Sequence, residues 1–174
     1  MPDEKVLFEA TLVYVLRGKE VLLPTKVTKI GAGRRNGFGG GVEPGETPRQ
    51  GACRELLEET GLYVKPHWLL KRAEMEFHNT KSDGQEFVCR CHVYVTVIWS
   101  GELSLNNEWK DPFWYPIQHL PFHEMMPSDK DWVPQVLSGN CLRGTVKLGP
   151  FQQELLEPPV IEFVSPGYFL EQTV

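Results

Sequence analysis

The sequence has no apolar run approaching the ~20 residues that a membrane-spanning helix needs; stretches such as Val93 to Trp99 are among its longest. It also has no excess of positive charge. Its 18 Lys and Arg against 23 Asp and Glu give a formal charge of −5, which argues against a surface built for bulk binding to nucleic acid or anionic lipid. An anionic substrate would need a bridging cation. Cysteines number four (Cys53, Cys89, Cys91, Cys141), with neither a CxxC pair nor a Cys/His zinc spacing. Reduced, mostly buried thiols are expected in place of a disulfide framework. The five histidines show no HxH or HExxH pattern and are read as structural. The opening Met-Pro-Asp-Glu-Lys carries no signal-peptide pattern, so a cytoplasmic location is expected. What is present is 174 residues, 41% hydrophobic and 24% charged, enough for a single domain over residues 1–174 with a real core.

Glu9 to Leu16 and Glu20 to Leu23 are β-branched and apolar around an Arg17-Gly18-Lys19 turn, which predicts a strand hairpin. The glycine-rich stretch Gly31 to Pro44 is unsuited to a helix or strand interior and marks a long loop where backbone approaches something closely. Ala73 to Phe77 and Glu86 to Trp99 read as a strand pair, Phe113 to Ile117 as a further strand, and Leu142 to Leu148 and Val160 to Val164 as closing strands. Met126 to Leu137 predicts a short helix with Ser128 as N-cap, broken by Pro134. The tail from Gly149 to Val174 has no evident role.

The best-marked element begins at Thr47-Pro48-Arg49-Gln50. Thr47 and Gln50 form a capping box, and Pro48 occupies the first helical position, where its missing donor costs nothing. Gly61 falls where a left-handed cap would end the helix. At ~100° per residue, Glu55, Glu58 and Glu59 share one arc, with Cys53, Leu56, Leu57 and Thr60 on the opposite side. Such a cluster is ordinarily the solvated face of an amphipathic helix. Here the glutamates repel one another at i, i+3 and i+4, and only Arg54 beside Glu58 relieves them. Divalent cations would make that charge useful, and all-oxygen ligands favour Mg²⁺, or Mn²⁺ as a substitute, over zinc. A glycine-rich loop just before the helix could present amides and a carbonyl to a phosphate chain and its metal.

Gly40, Glu46, Arg54, Glu55, Leu56, Glu58, Glu59, Gly61 and Leu62 fit the Nudix box, G-x5-E-x7-R-E-U-x-E-E-x-G-U with U apolar, over residues 40–62 and without a departure. From Thr11 to Leu148 the chain resembles the MutT homologues that hydrolyse oxidised purine nucleoside triphosphates, through GAGRRNGFGG (31–40), TLVYVL (11–16), PFWYPIQHLPFHEM (112–125) and MPSDKDWVP (126–134). The resemblance implies an α+β protein with the Nudix fold, an α/β/α sandwich around a mixed sheet. It implies a Mg²⁺-dependent pyrophosphohydrolase cleaving a purine (deoxy)nucleoside triphosphate, oxidised forms such as 8-oxo-dGTP included, to the monophosphate and pyrophosphate. The alternatives are another nucleoside diphosphate derivative (a dinucleotide, an ADP-sugar, an RNA 5′ end) or a non-catalytic nucleotide-sensing module. The expected partner is a small nucleotide, with no membrane and a monomer favoured.

Residue by residue, the resemblance implies that Glu55, Glu58 and Glu59 ligate metal with the Gly39 carbonyl, backed by Glu46 and Arg54. The base that deprotonates water is Glu59, Glu58 or Glu108, and Glu108 is alternatively a ligand or a solvated loop residue. Asn36 and Asp129 point to the purine edge. In the relatives two aspartates follow one another, whereas here the first is Ser128, and Met126 replaces a flanking tryptophan. Thr11, Lys26, Gly39 and Gly40 match ligand-side positions, with Lys26 either pairing with phosphate or free on the surface. Phe77 and Met75 line the pocket or belong to the core, Trp132 stacks or packs, and Arg35 contacts phosphate or solvent.

Overall fold

In β1 (Glu9–Arg17) the alternation of side chains sends Val13 and Val15 into one buried cluster and Tyr14 and Leu16 into another. A strand buried on both faces reads as the continuous apolar run seen in the sequence. In the computed structural model, which describes residues 6–29 and 31–170, six more strands join it: β2 (Glu20–Lys26), β3 (Leu70–Thr80), β4 (Glu86–Thr96), β5 (Trp109–Pro116), β6 (Cys141–Pro150) and β7 (Val160–Val164). Their order is β5-β2-β1-β4-β3-β6-β7. β1 runs parallel to β4 and β3 to β6; the other neighbours are antiparallel. The sheet is therefore mixed, and its last two strands come from the region beyond residue 140.

A helix covers each face. α1 (Pro48–Thr60) packs Ala52 and Leu56 against Val13, Val15, Leu22 and Tyr94, while α2 (Asp129–Leu137) packs Trp132, Val133 and Val136 with Tyr14, Val93 and Leu142. This is the expected α/β/α sandwich. Both arms of the α1 capping box are present, the Gln50 N–H donating to Thr47 Oγ1 at 3.1 Å and the Thr47 N–H to Gln50 Oε1 at 2.9 Å. Gly61 closes the helix at φ 72°, its N–H donating to the Leu57 carbonyl.

β1 pairs with β2 only at Leu16 and Arg17, so the first half of β1 has an edge to spare. The glycine-rich segment fills it. The Thr11 N–H donates to Gly40 O at 2.8 Å, the Val13 N–H to Phe38 O at 2.6 Å, and the Phe38 N–H to Val13 O at 2.9 Å. A Cβ on Gly39 would lie 1.9 Å from the Thr11 carbonyl oxygen, which is why this position has no side chain.

Several expectations change. α2 continues through Pro134 as one helix: the lost hydrogen bond is outweighed by buried Trp132, Val133, Val136 and Leu137 around it. Ser128 precedes α2 with helical backbone angles and makes no capping bond; the Asp129 carboxylate instead accepts the Met126 N–H at 3.1 Å. β5 begins at Trp109 rather than Phe113, and β3 extends from Leu70 to Thr80. On α1, Leu57 is 47% exposed whereas Glu59 is 1% exposed. The helix has turned Glu59 toward the sheet, and two residues back along the helix lies roughly 160° away, so Leu57 faces solvent. Met75 is fully buried beside Gly144 and belongs to the core. The four thiols are free, as expected. Among the described residues no helix is long and apolar enough to cross a membrane. Met1–Lys5 and the last four residues of the tail lie outside the described residues.

Two substitutions separate local capping from backbone apposition. Thr47→Ala is expected to cost about 1 kcal/mol in urea denaturation, and Gly39→Ala at least ~3 kcal/mol, because a methyl group at that contact forces the segment off β1. A Gly39→Ala cost no larger than that of Thr47→Ala would contradict this packing.

Candidate functional site

Two sets of side chains meet across the glycine segment. At one end Arg54 gathers the carboxylates of the box. It donates from Nη2 to Glu46 Oε1 at 2.7 Å and from Nε to Glu46 Oε2 at 3.0 Å, and from Nη1 to Glu55 at 3.0 Å and Glu58 at 3.2 Å. A further bond reaches the Gly41 carbonyl. The guanidinium beside Glu46 holds that carboxyl below its ordinary range, and the Glu46 carboxylate in turn raises the pKa of Arg54. Arg54 is thus more than an i,i+4 surface partner of Glu58. Glu55 lies directly over Gly40, where a Cβ would come within 2.6 Å of Glu55 Oε1.

The three helix carboxylates differ in environment. Glu58 is 56% exposed, Glu55 17% and Glu59 1%. Glu59 accepts the Gly39 N–H at 2.8 Å on one oxygen and the Trp109 indole N–H on the other, with the Lys26 ammonium 3.9 Å away. Burial pushes its pKa up to about 7, against the pull of the Trp109 N–H and the Lys26 charge. Glu108, in the turn just before β5, accepts from Lys29 and from Lys26 at 3.2 Å, and the Lys29 contact holds its carboxyl low. It is a part-buried turn residue that shares the Lys26 ammonium with Glu59.

The donor chemistry fits a hard divalent cation: carboxylate oxygens, with glycine backbone at close approach. The side chains are not gathered around a common point, however. Among the described residues no three Glu, Asp, His or Cys form a group able to hold an ion, because Arg54, Lys26, Lys29 and Trp109 each engage the carboxylates. His92 is likewise engaged, between Glu9 and Lys71.

A cleft of about 170 Å³ is lined by Thr11, Lys26, Gly31, Asn36, Gly39 and Trp109 among others, Gly39 and Trp109 being the donors to Glu59. Thr11 Oγ1 is buried without a hydrogen-bond partner. Lys26 lies 4.3 Å from the centre of the Trp109 ring, which meets Phe38 edge-on. Lys26 is therefore no free surface lysine. Behind Asn36 stand Tyr14, Trp132 and Phe77, the Trp132 ring 6.5 Å from Tyr14 and 6.4 Å from Phe77. Met126 places its sulfur beside Gly31. Asp129 is buried, and its pKa is pushed up to about 7 by that burial against the Met126 N–H and the Arg34 charge. Ser128 Oγ and Trp132 Nε1 are buried without partners. Arg35 braces backbone, donating from Nη1 to the carbonyls of Leu23 and Asp111 at 2.8 and 2.7 Å, and is largely buried, not a solvent-exposed residue.

Trp109 and Tyr14 escaped the sequence reading. Trp109 lay in an irregular stretch with no periodicity to orient it, and Tyr14 sat in an apolar strand where an aromatic residue reads as core. Trp109→Phe keeps the ring but removes the N–H that opposes desolvation of Glu59. The Glu59 carboxyl should then titrate at higher pH than in the parent protein, followed by side-chain carbon NMR of the metal-free chain. An unchanged or lower midpoint would contradict the role of the indole.

The comparisons with known proteins agree with this geometry. The model of the NUDIX domain matches residues 7–136. The oxidized purine nucleoside triphosphate hydrolases of Mus musculus and Danio rerio are 38% and 36% identical to the chain over 137 residues, covering 79% of this chain and 84% of each relative. Among solved structures, a mutator MutT protein from Bacillus halodurans superposes with a TM-score of 0.74 at 24% identity, covering 90% of this chain and 98% of that one. The box, the sandwich and the relatives converge, and the chain belongs to the Nudix family.

Proposed function

We propose that the chain is a Mg²⁺-dependent pyrophosphohydrolase of purine (deoxy)nucleoside triphosphates, oxidised purines included, releasing the monophosphate and pyrophosphate. The observation that carries the reading is the cleft that reaches from Gly39 and Trp109, the two residues hydrogen-bonded to buried Glu59, to Asn36. Two relatives more than a third identical, both named for oxidised purine nucleoside triphosphates, support the substrate class.

Phosphates occupy the end lined by Lys26, Gly39 and Gly40, with Lys29 at its margin. The Lys26 ammonium, released from Glu108, supplies positive charge to the phosphate chain. Glu55, Glu58, Glu59 and the Gly39 carbonyl are the groups that hold a divalent ion, which neutralises phosphate charge and acidifies a water when bound. Arg54 keeps Glu55 and Glu58 in place through its bonds to both and to Glu46. Glu59, desolvated and with a pKa near neutrality, takes the proton from the attacking water. A P–O bond forms from that water and the bridging P–O bond breaks, giving the two products. The purine lies toward Asn36 and Met126, with Ser128, Asp129, Phe77 and Trp132 packed behind that end. Asp129, with its raised pKa, donates or accepts at the base according to its protonation.

Pyrophosphate release with Mg²⁺ is to be measured on dGTP, 8-oxo-dGTP, dCTP, ADP-ribose, a diadenosine polyphosphate and a 5′-triphosphorylated RNA. Preference for a purine triphosphate is expected; turnover confined to one of the last three, or none at all, would overturn the assignment.

Glu59→Gln is expected to lower kcat by about 10² to 10⁴ while leaving the protein folded. The same substitution has an opposite effect on stability. The folded pKa of Glu59 stands above its ordinary 4.5, so the group's contribution is complete below that value and is lost as pH rises through about 7. The melting temperature of the glutamine variant, relative to the parent in metal-free buffer, should therefore climb between pH 5 and 8. A difference that stays flat across that range would contradict the desolvation of Glu59.

A further inference from the structure

We infer that Tyr14 is a positioning residue for base selection: it consumes the remaining acceptor capacity of Asn36, so the cleft offers the base an amide donor alone. The inference rests on the purine triphosphate reading above and names the purine edge that the site selects.

Asn36 Oδ1 receives two donors, the N–H of Gly37 at 2.8 Å and the hydroxyl of Tyr14 at 3.4 Å. A backbone N–H can only donate, so the amide atom facing Gly37 is the oxygen and the amide's orientation is settled by chemistry. The Tyr14 hydroxyl, fully buried, must then donate to that same oxygen. A carbonyl oxygen has two lone pairs, and both are now used. The part of the amide left for the cleft is Nδ2, a pure donor.

The arrangement is held on every side. The Asn36 N–H donates to Pro24 O and the neighbouring Arg35 N–H to Glu124 O at 2.6 Å, fixing the backbone that carries the amide. The Tyr14 ring lies flush with Gly37, where an added Cβ would sit 3.0 Å from two of its carbons and 2.7 Å from the Val13 carbonyl. Behind it the ring meets Trp132 edge-on. Tyr14 cannot swing away without opening the core, and Asn36 cannot flip without setting Nδ2 against the Gly37 N–H.

A donor-only amide pairs with a ring carbonyl or unprotonated ring nitrogen and leaves an exocyclic amine at that edge unpaired. The cost of an unpaired buried polar group is what gives such sites their discrimination. The chain should therefore favour a purine bearing a carbonyl over one bearing an amine at the same ring position.

The test uses dITP and dATP, which differ at the carbonyl or amine on C6 and in the hydrogen at N1, with kcat and KM measured separately. The parent chain is expected to prefer dITP. Tyr14→Phe keeps the ring and frees one lone pair on Oδ1, so the dITP:dATP ratio of kcat/KM should fall at least threefold, chiefly through KM. Asn36→Asp keeps both internal acceptor contacts and turns an oxygen toward the cleft, so it should reverse the preference. Thermal melts of both variants accompany the kinetics. A folded Tyr14→Phe protein with the parent's ratio overturns the inference while leaving the proposed function intact. Failure of the parent to hydrolyse any purine triphosphate overturns both.

Discussion

A carboxylate taken out of water between a glycine amide and an indole sets much of this structure. Glu59 can be buried only if both oxygens are satisfied, and the two donors come from separate parts of the chain: Gly39 in the glycine segment and Trp109 at the start of β5. Gly39 reaches it because the segment lies against β1 at a separation that excludes any Cβ. Trp109 reaches it because β5 pairs with β2 through Lys26. Helix, loop and two strands thus meet at one carboxylate, and the rotation of α1 that buries it is the same rotation that exposes Leu57.

The cost of that burial is a proton affinity displaced toward neutrality, which suits the proton-accepting role proposed for this carboxylate. Around it the charge is balanced by side chains: Arg54 spans Glu46, Glu55 and Glu58, and Lys26 and Lys29 neutralise Glu108. These ion pairs hold the acidic end together, and in the proposed function a cation and a phosphate chain would displace or share them. The other end of the cleft carries little charge. There Asn36 lines the cleft, with Tyr14 hydrogen-bonded to its amide and Trp132 edge-on to the Tyr14 ring.

The sequence revealed α1 to the residue, because capping box, first-turn proline and terminal glycine each have a local mechanism that tertiary packing did not override. The strand hairpin and the closing strands were legible to within a few residues from β-branched, apolar runs bounded by turns. Pro134 misled because local propensity argues against a helix that four buried side chains maintain. The carboxylate cluster was visible as a face, but not its division into exposed Glu58 and buried Glu59, since helical periodicity gives relative angles and not the direction of the core. Trp109 and Tyr14 had no sequence signal, as each acquires its role from one long-range hydrogen bond.

In the proposed function Glu59 and Asn36 stand at the two ends of one nucleotide site. The most direct measurement is an NMR titration with a non-hydrolysable purine nucleoside triphosphate and Mg²⁺, following the Trp109 indole N–H and the Asn36 side-chain amide together. Both signals should move along one saturation curve. Movement of only one, or of neither at saturating ligand, would contradict a single site spanning the cleft.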